Sequence, residues 1–312
     1  MLYHIIFNPM AAGGKASREL ATIETLLKQY NIAYKLHQTA YKGHAITLVR
    51  DLISNENARF IAAAGGDGTI NEVINGIFTQ KTAPTAQITF AAIPIGTGND
   101  FIRTHQIPHN TAKAINILAA GKTVLHSVGK LTYTDAQNLP QTRYFANVAG
   151  FAYDAYACER LHLFENKFLP PKLFYLYVIF KCLFGYEPER VRVTLDGKET
   201  IEDDVYTVNI GVCKYSGGGA IFVPQADPTS SSFGVTIVRK VSKWNVVKST
   251  PLFYNGKIIS HPQASAHHAK HIRIEGINSP TRAETDGEYL GVSPVTVEIL
   301  PQALHVVSFL RN

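Results

Sequence analysis

An apolar run at 59–64, Arg-Phe-Ile-Ala-Ala-Ala, stops directly on Gly65-Gly66-Asp67-Gly68-Thr69, and a helical pattern takes over across 70–78. A buried strand that turns through glycines straight into a helix is half of a βαβ unit, which commits this part of the chain to a parallel sheet. The same alternation surrounds it. Strands are predicted at 2–7, 33–37 and 88–93, and helices at 17–30, at 43–53 and from the last strand through 119. Leu20, Ile23, Leu26 and Leu27 share one face of the first helix, the spacing of an amphipathic helix against a sheet.

Glycines at such a turn let backbone N–H groups approach an anion, and the helix N-terminus behind them adds a favourable dipole. Thr69 offers a hydroxyl to the same anion, whereas Asp67 would repel a bare phosphate and makes sense with a cation between them. Two further turns, Asn8-Pro9-Met10-Ala11-Ala12-Gly13-Gly14-Lys15 and Pro94-Ile95-Gly96-Thr97-Gly98-Asn99-Asp100, also close strands. One such loop alone is an ordinary tight turn. Three at the strand ends of one sheet point to a polyphosphate in the crevice where open α/β sheets bind ligands. Neither a Walker A motif nor a protein-kinase motif set is present.

After about residue 124 the pattern changes to strands at 143–148, 191–195, 205–212, 235–238 and 272–274, with helices at 154–164, 172–184 and 244–254. The second half is therefore expected to be mainly antiparallel β. A hydrophobic fraction of 46% with 17% charged residues supplies a core and argues against disorder. The net charge of +6 suits an anionic partner, but no Lys/Arg-rich run or aromatic RNP-type stretch supports nucleic acid. Cys158, Cys182 and Cys213 form neither a disulfide framework nor a zinc ribbon, which fits a reducing cytosol. The N-terminal apolar run ends at Phe7, too soon for a signal peptide, so a cytoplasmic location is expected.

The apolar segment 173–180 is too short to span a bilayer, but the helix around it is expected either to pack in the core or to meet the membrane, with Lys167, Lys172 and Lys181 on anionic headgroups. Trp244, with Val246, Val247 and Leu252, is expected to be core packing. His267, His268 and His271 are expected on a surface loop or strand end rather than on a metal.

Asn8-Pro9, Thr39 followed by Gly43-His44-Ala45, the run from Gly65 to Gly76, and Gly96-Thr97-Gly98-Asn99-Asp100 together resemble the diacylglycerol-kinase catalytic-domain family. Tyr144-Phe145-Ala146-Asn147-Val148, Gly217-Gly218-Gly219, Pro224-Gln225-Ala226 and Asp286-Gly287-Glu288 continue the match through the second half. The resemblance implies an α/β plus mainly-β fold. A Rossmann-like nucleotide-binding domain at 1–126 is followed by a β-sandwich-like lipid-substrate domain at 127–302, and a strand in 303–312 can return to the first domain.

It further implies an ATP-dependent kinase for a lipid alcohol, diacylglycerol first among them, acting peripherally at a membrane surface. ATP would be held by Asn8, Thr39, Gly65, Gly66, Asp67, Gly68, Thr69, Gly96, Thr97 and Gly98, with Glu72 and Asn99 supporting that site. His44 would orient the first-domain loop. Asp67 and Asp100 would join an acidic network around ATP-bound Mg2+, and Glu288 would be the general base. Ser127 stands where the family carries an aspartate, and Asp227-Pro228-Thr229-Ser230 stands where an Asp-Gly pair is expected. A separate protein-held Mg2+ is therefore not expected. Ala152 stands where a second glycine is common.

Two other readings stay open. NAD kinases also use a Gly-Gly-Asp-Gly-Thr loop, and a pseudokinase would keep the nucleotide loops without turnover. A homodimer through the second domain is one arrangement the sequence allows.

Overall fold

The computed structural model describes residues 1–14, 16–96, 98–161, 163–164 and 171–310, apart from the side chains of 171, 172, 175 and 176. The chain divides into two compact units, Met1–Val128 with Pro301–Asn312, and Gly129–Leu300.

In the first unit β1 (Leu2–Phe7), α1 (Ala16–Gln29), β2 (Ala33–Gln38), α2 (His44–Glu56), β3 (Phe60–Gly65), α3 (Asp67–Thr79), β4 (Thr89–Pro94), α4 (Asp100–Thr104) and α5 (Thr111–Ala120) alternate. β2, β1, β3 and β4 lie side by side, all parallel. The returning chain adds a fifth parallel strand, His305 pairing with Thr89 and Val306 with Phe90. The inner strands are apolar towards both faces because helices cover both. Ile23 and Leu27 of α1 and Ile115 and Leu118 of α5 pack with Ile5, Ala62, Ala64 and Ile93, while α2 packs on α3. The helical stretch expected after β4 is broken between α4 and α5, where Asn110 caps α5 by accepting from the Lys113 N–H.

β5 (Thr123–Thr134) begins in the first unit, and the second continues with β6 (Pro140–Phe145), β7 (Val148–Ala152), α6 (Tyr153–Leu161), α7 (Pro171–Gly185), β8 (Glu189–Leu195) and β9 (Glu199–Gly211). There follow a short pair β10 (Tyr215–Ser216) and β11 (Ala220–Ile221), then β12 (Phe233–Arg239), α8 (Lys243–Tyr254), β13 (Ala264–Ala269), β14 (His271–Gly276), β15 (Arg282–Thr285) and β16 (Glu288–Val307). The strand predicted at 143–148 is two strands, β6 and β7, separated at Ala146-Asn147.

Two long strands serve both layers of a sandwich. β9 pairs with β8 through its first half and with β7 and β12 through its second. β16 likewise pairs with β15 near its start and with β14 further on. The strand pairings among the described residues of this unit are antiparallel, and alternation fills the space between layers. Val191, Val193 and Leu195 of β8 are buried, whereas Arg190 and Arg192, which alternate with the valines, are exposed. Phe145, Phe151, Phe233, Ile274 and Val297 complete this core.

Trp244 corrects the expectation from sequence. It stands 67% exposed on α8, a helix with no fully buried residue. His267 and His268 lie on β13 and His271 on β14, with His267 Nδ1 3.3 Å from Glu199 Oε1. No helix among the described residues is long and apolar enough to cross a membrane.

Candidate active site

In the first unit, the loops after β1, β3 and β4 meet at the C-terminal ends of their strands. A Cβ at Gly96 would sit 2.6 Å from the Gly66 Cα, so the two glycine turns touch backbone to backbone and admit no side chain. Ile95 donates its N–H to Gly65 O at 2.9 Å, closing the contact. The first loop is tied in by Asn8, whose Nδ2 donates to the Thr69 hydroxyl at 3.0 Å while its Oδ1 accepts from Met10 N–H. Thr39 joins the same edge through its N–H to Phe7 O.

The Asp67 carboxylate reaches the start of α4. Its Oδ1 accepts from the Phe101 N–H at 3.2 Å. Burial pushes this carboxyl up, opposed by the backbone N–H groups of Phe101, Asn99 and Asp100. Backbone N–H groups at the start of α4 are thus among the partners of this carboxylate. Glu72 serves α2 in the same way, its two oxygens accepting from Gly43 N–H at 2.8 Å and Ala45 N–H at 3.2 Å. His44 accepts from Ala40 N–H and stacks on Tyr41.

Asn99 adopts the left-handed conformation and donates Nδ2 to Gly96 O at 2.7 Å, fixing the second turn, while its buried Oδ1 has no partner among the described residues. An orphaned buried acceptor beside two glycine turns suits a ligand that donates, such as a hydroxyl or a water. Asp100 is buried at the start of α4, 3.8 Å from Arg103 Nε. Gly68 lies in the first turn of α3. Thr97 lies outside the described residues, as does Lys167.

Ser127 is buried, and its hydroxyl accepts from the Gln302 N–H at 2.9 Å. Where an aspartate was expected, the serine holds the returning chain. Asp227 is exposed and caps its own turn, Oδ1 accepting from the Thr229 N–H and hydroxyl. Among the described residues no three His, Cys, Asp or Glu side chains converge as a metal-ligand set.

The second unit organises the Asp286-Gly287-Glu288 turn. Asp286 and Gly287 have positive φ, 51° and 84°. The Asp286 carboxylate accepts from three consecutive backbone N–H groups, Ala146, Asn147 and Val148, at 3.0–3.3 Å. The buried Glu284 accepts from the Gly287 N–H at 2.8 Å. Glu288, held on this turn, is ion-paired with Arg143.

Beneath the turn lies a carboxylate pair that the sequence reading missed. A Cβ at Gly150 would meet Glu284 Oε1 at 2.3 Å and the Asp154 Cβ at 2.9 Å, so the two acids converge over a residue without a side chain. Thr207 donates its hydroxyl to Asp154 at 2.9 Å, and Asn209 donates to Thr207. Burial pushes Asp154 up to about 6. Burial first, and Asp154 second, push Glu284 well above the usual carboxylate range. The visible signal was the alternation Glu284, Asp286, Glu288. Arg143 carried no signal of its own.

Residues 3–131 match the diacylglycerol kinase catalytic domain family, and residues 147–308 match the YegS C-terminal NAD kinase beta sandwich-like domain. A diacylglycerol kinase of Staphylococcus carnosus is 26% identical over 302 residues, covering 97% of this chain and 93% of that protein. One from Bacillus subtilis is 26% identical over 309 residues, covering 97% and 95%. Among solved structures, a diacylglycerol kinase from Bacillus anthracis superposes with a TM-score of 0.71 at 22% identity, covering 98% and 96% of the two chains. Yeast NADH kinase complexed with NADH gives 0.53 at 12%, covering 98% and 82%. At those identities the structural likeness is one of fold. The two family matches between them take in both units, and the chain belongs to the diacylglycerol kinase family of lipid kinases, with a NAD kinase-type sandwich as its second half.

Proposed function

We propose that this chain transfers the γ-phosphate of ATP to the hydroxyl of diacylglycerol, giving phosphatidic acid and ADP, at the cytoplasmic face of a membrane. The observation that carries the nucleotide half is the close approach of Gly66 and Gly96, which sets two side-chain-free turns together at neighbouring strand ends, the kind of place where backbone N–H groups receive a polyphosphate. Asn8, Thr39 and Thr69 stand beside them, and Glu72 and Asn99 hold the loops in shape.

The hydroxyl oxygen forms a bond to the γ-phosphorus as the bond to the β,γ-bridging oxygen breaks, and Glu288 takes the hydroxyl proton. The loose transition state of phosphoryl transfer asks little of the base until late. Glu288 is suited to that role because Asp286 and Glu284 fix its turn from both sides. The names of the relatives favour diacylglycerol over other lipid alcohols.

The test is transfer of labelled γ-phosphate from Mg-ATP to a panel of diacylglycerol, a sphingoid base, a polyprenol and NAD, the lipids in detergent micelles. Label in diacylglycerol supports the reading. Label in another lipid overturns the acceptor, label in NAD overturns the lipid class, and ATP binding with no label anywhere overturns the kinase.

A further inference from the structure

Helices α7 and α8 pack together in the second unit and carry no aspartate or glutamate between them. Their outward stripes are apolar and basic at helical spacing. On α7, Leu173, Tyr177, Lys181 and Phe184 are exposed at i, i+4, i+8 and i+11, the three apolar ones at 54%, 48% and 56%. On α8, Trp244 and Lys248 are exposed at i and i+4. The Phe184 and Trp244 rings meet edge to face, 6.4 Å between centroids.

This junction is held from below. Lys243 Nζ donates to Phe184 O at 2.9 Å, at the end of α7, and to Glu187 Oε1 at 3.0 Å. Glu187, just past the end of α7, is thereby ion-paired with Lys243, and the two aromatic rings lie side by side.

We infer that the α7–α8 face is a docking surface for an anionic lipid bilayer, with Phe184 and Trp244 entering the interface and Lys181 and Lys248 on the headgroups. Exposed tryptophan and phenylalanine flanked by lysine on two helices without an acidic residue is the chemistry of an interfacial anchor, since aromatic rings favour the headgroup level and lysines follow the negative surface potential. A second copy of this chain is a poor occupant, because symmetric contact would bring the lysine-bearing stripes together. The inference deepens the membrane reading above. It is read without phosphoryl transfer, so the two fail separately.

Trp244 is the single tryptophan of the chain, and its emission reports on this face alone. The measurement is that emission, with co-sedimentation, on adding phosphatidylglycerol vesicles or phosphatidylcholine vesicles to the full chain. The expected result is a blue shift and pelleting with phosphatidylglycerol, weakened by salt and by roughly five-fold for each of Lys181→Gln and Lys248→Gln. Trp244→Ser, followed by sedimentation alone, is expected to lose most of the pelleting. Unchanged emission with phosphatidylglycerol overturns the inference, whether or not the protein pellets. So does a blue shift that follows protein concentration without vesicles, which would assign the face to a second copy.

Discussion

The Arg143 guanidinium reaches the Glu288 carboxylate at 2.9 Å, Nη2 to Oε2, joining β6 to the first residue of β16. Both side chains are largely shielded, so the pair is worth more for orientation than an exposed one. Arg143→Gln is expected to lower kcat for lipid phosphorylation on the order of ten-fold, because one of the groups that aim the base is lost. Arg143→Lys should fall between, keeping the charge without the planar fork. Wild-type kcat in Arg143→Gln would contradict the assignment.

The contact between the glycine turns makes its own prediction. A Cβ at position 96 would lie 2.5 Å from Asn99 Oδ1 as well as 2.6 Å from the Gly66 Cα, and backbone cannot swing aside as a flexible side chain can. Gly96→Ala is expected to weaken ATP binding roughly ten-fold or more, the scale of about 1–3 kcal/mol for overpacking. Titration calorimetry checks it, and unchanged affinity would count against these loops as the nucleotide site.

Asp154 and Glu284 bind their protons more tightly in the folded chain than in the unfolded one. Between the ordinary carboxylate pKa near 4 and the raised value of about 6 for Asp154, the folded state holds protons that the unfolded state has released. Stability from this site therefore falls as pH rises through that window. Asp154→Asn should remove on the order of 2 kcal/mol of that fall. Urea midpoints near pH 4.5 and pH 7 measure it, and identical pH slopes in variant and wild type would refute the account.

Ala152 sits at φ 65°, in the left-handed region that favours glycine. Ala152→Gly relieves about 1 kcal/mol of backbone strain and loses about 0.8 kcal/mol of methyl burial, so the two nearly cancel. Ala155→Gly, in helix α6, has no strain to relieve and should cost about 1–2 kcal/mol. Equal losses of thermal stability in the two variants would show that the positive φ at 152 carries no strain.

The glycine turns were legible because strand, turn and helix are adjacent in sequence and each is marked by its own periodicity. What those turns hold was not. Asp67 meets the Phe101 N–H across 34 residues, and Arg143 meets Glu288 across 145, distances over which local patterning carries nothing. Asp154 and Glu284 were hidden for the same reason, since only the folded β7, β9 and β15 bring them over Gly150. Trp244 was misread because Val246, Val247 and Leu252 of the same helix do pack against the core, while Trp244 alone of the four faces outward.

The most direct test of the account is the rate of phosphate transfer from ATP to diacylglycerol in Glu288→Gln beside the wild type, with ATP affinity measured for both. A fall of roughly 10²- to 10⁴-fold with ATP affinity unchanged is the predicted result, the scale of a lost general base. A Glu288→Gln enzyme within a few-fold of wild type would contradict it and move the proton acceptor elsewhere.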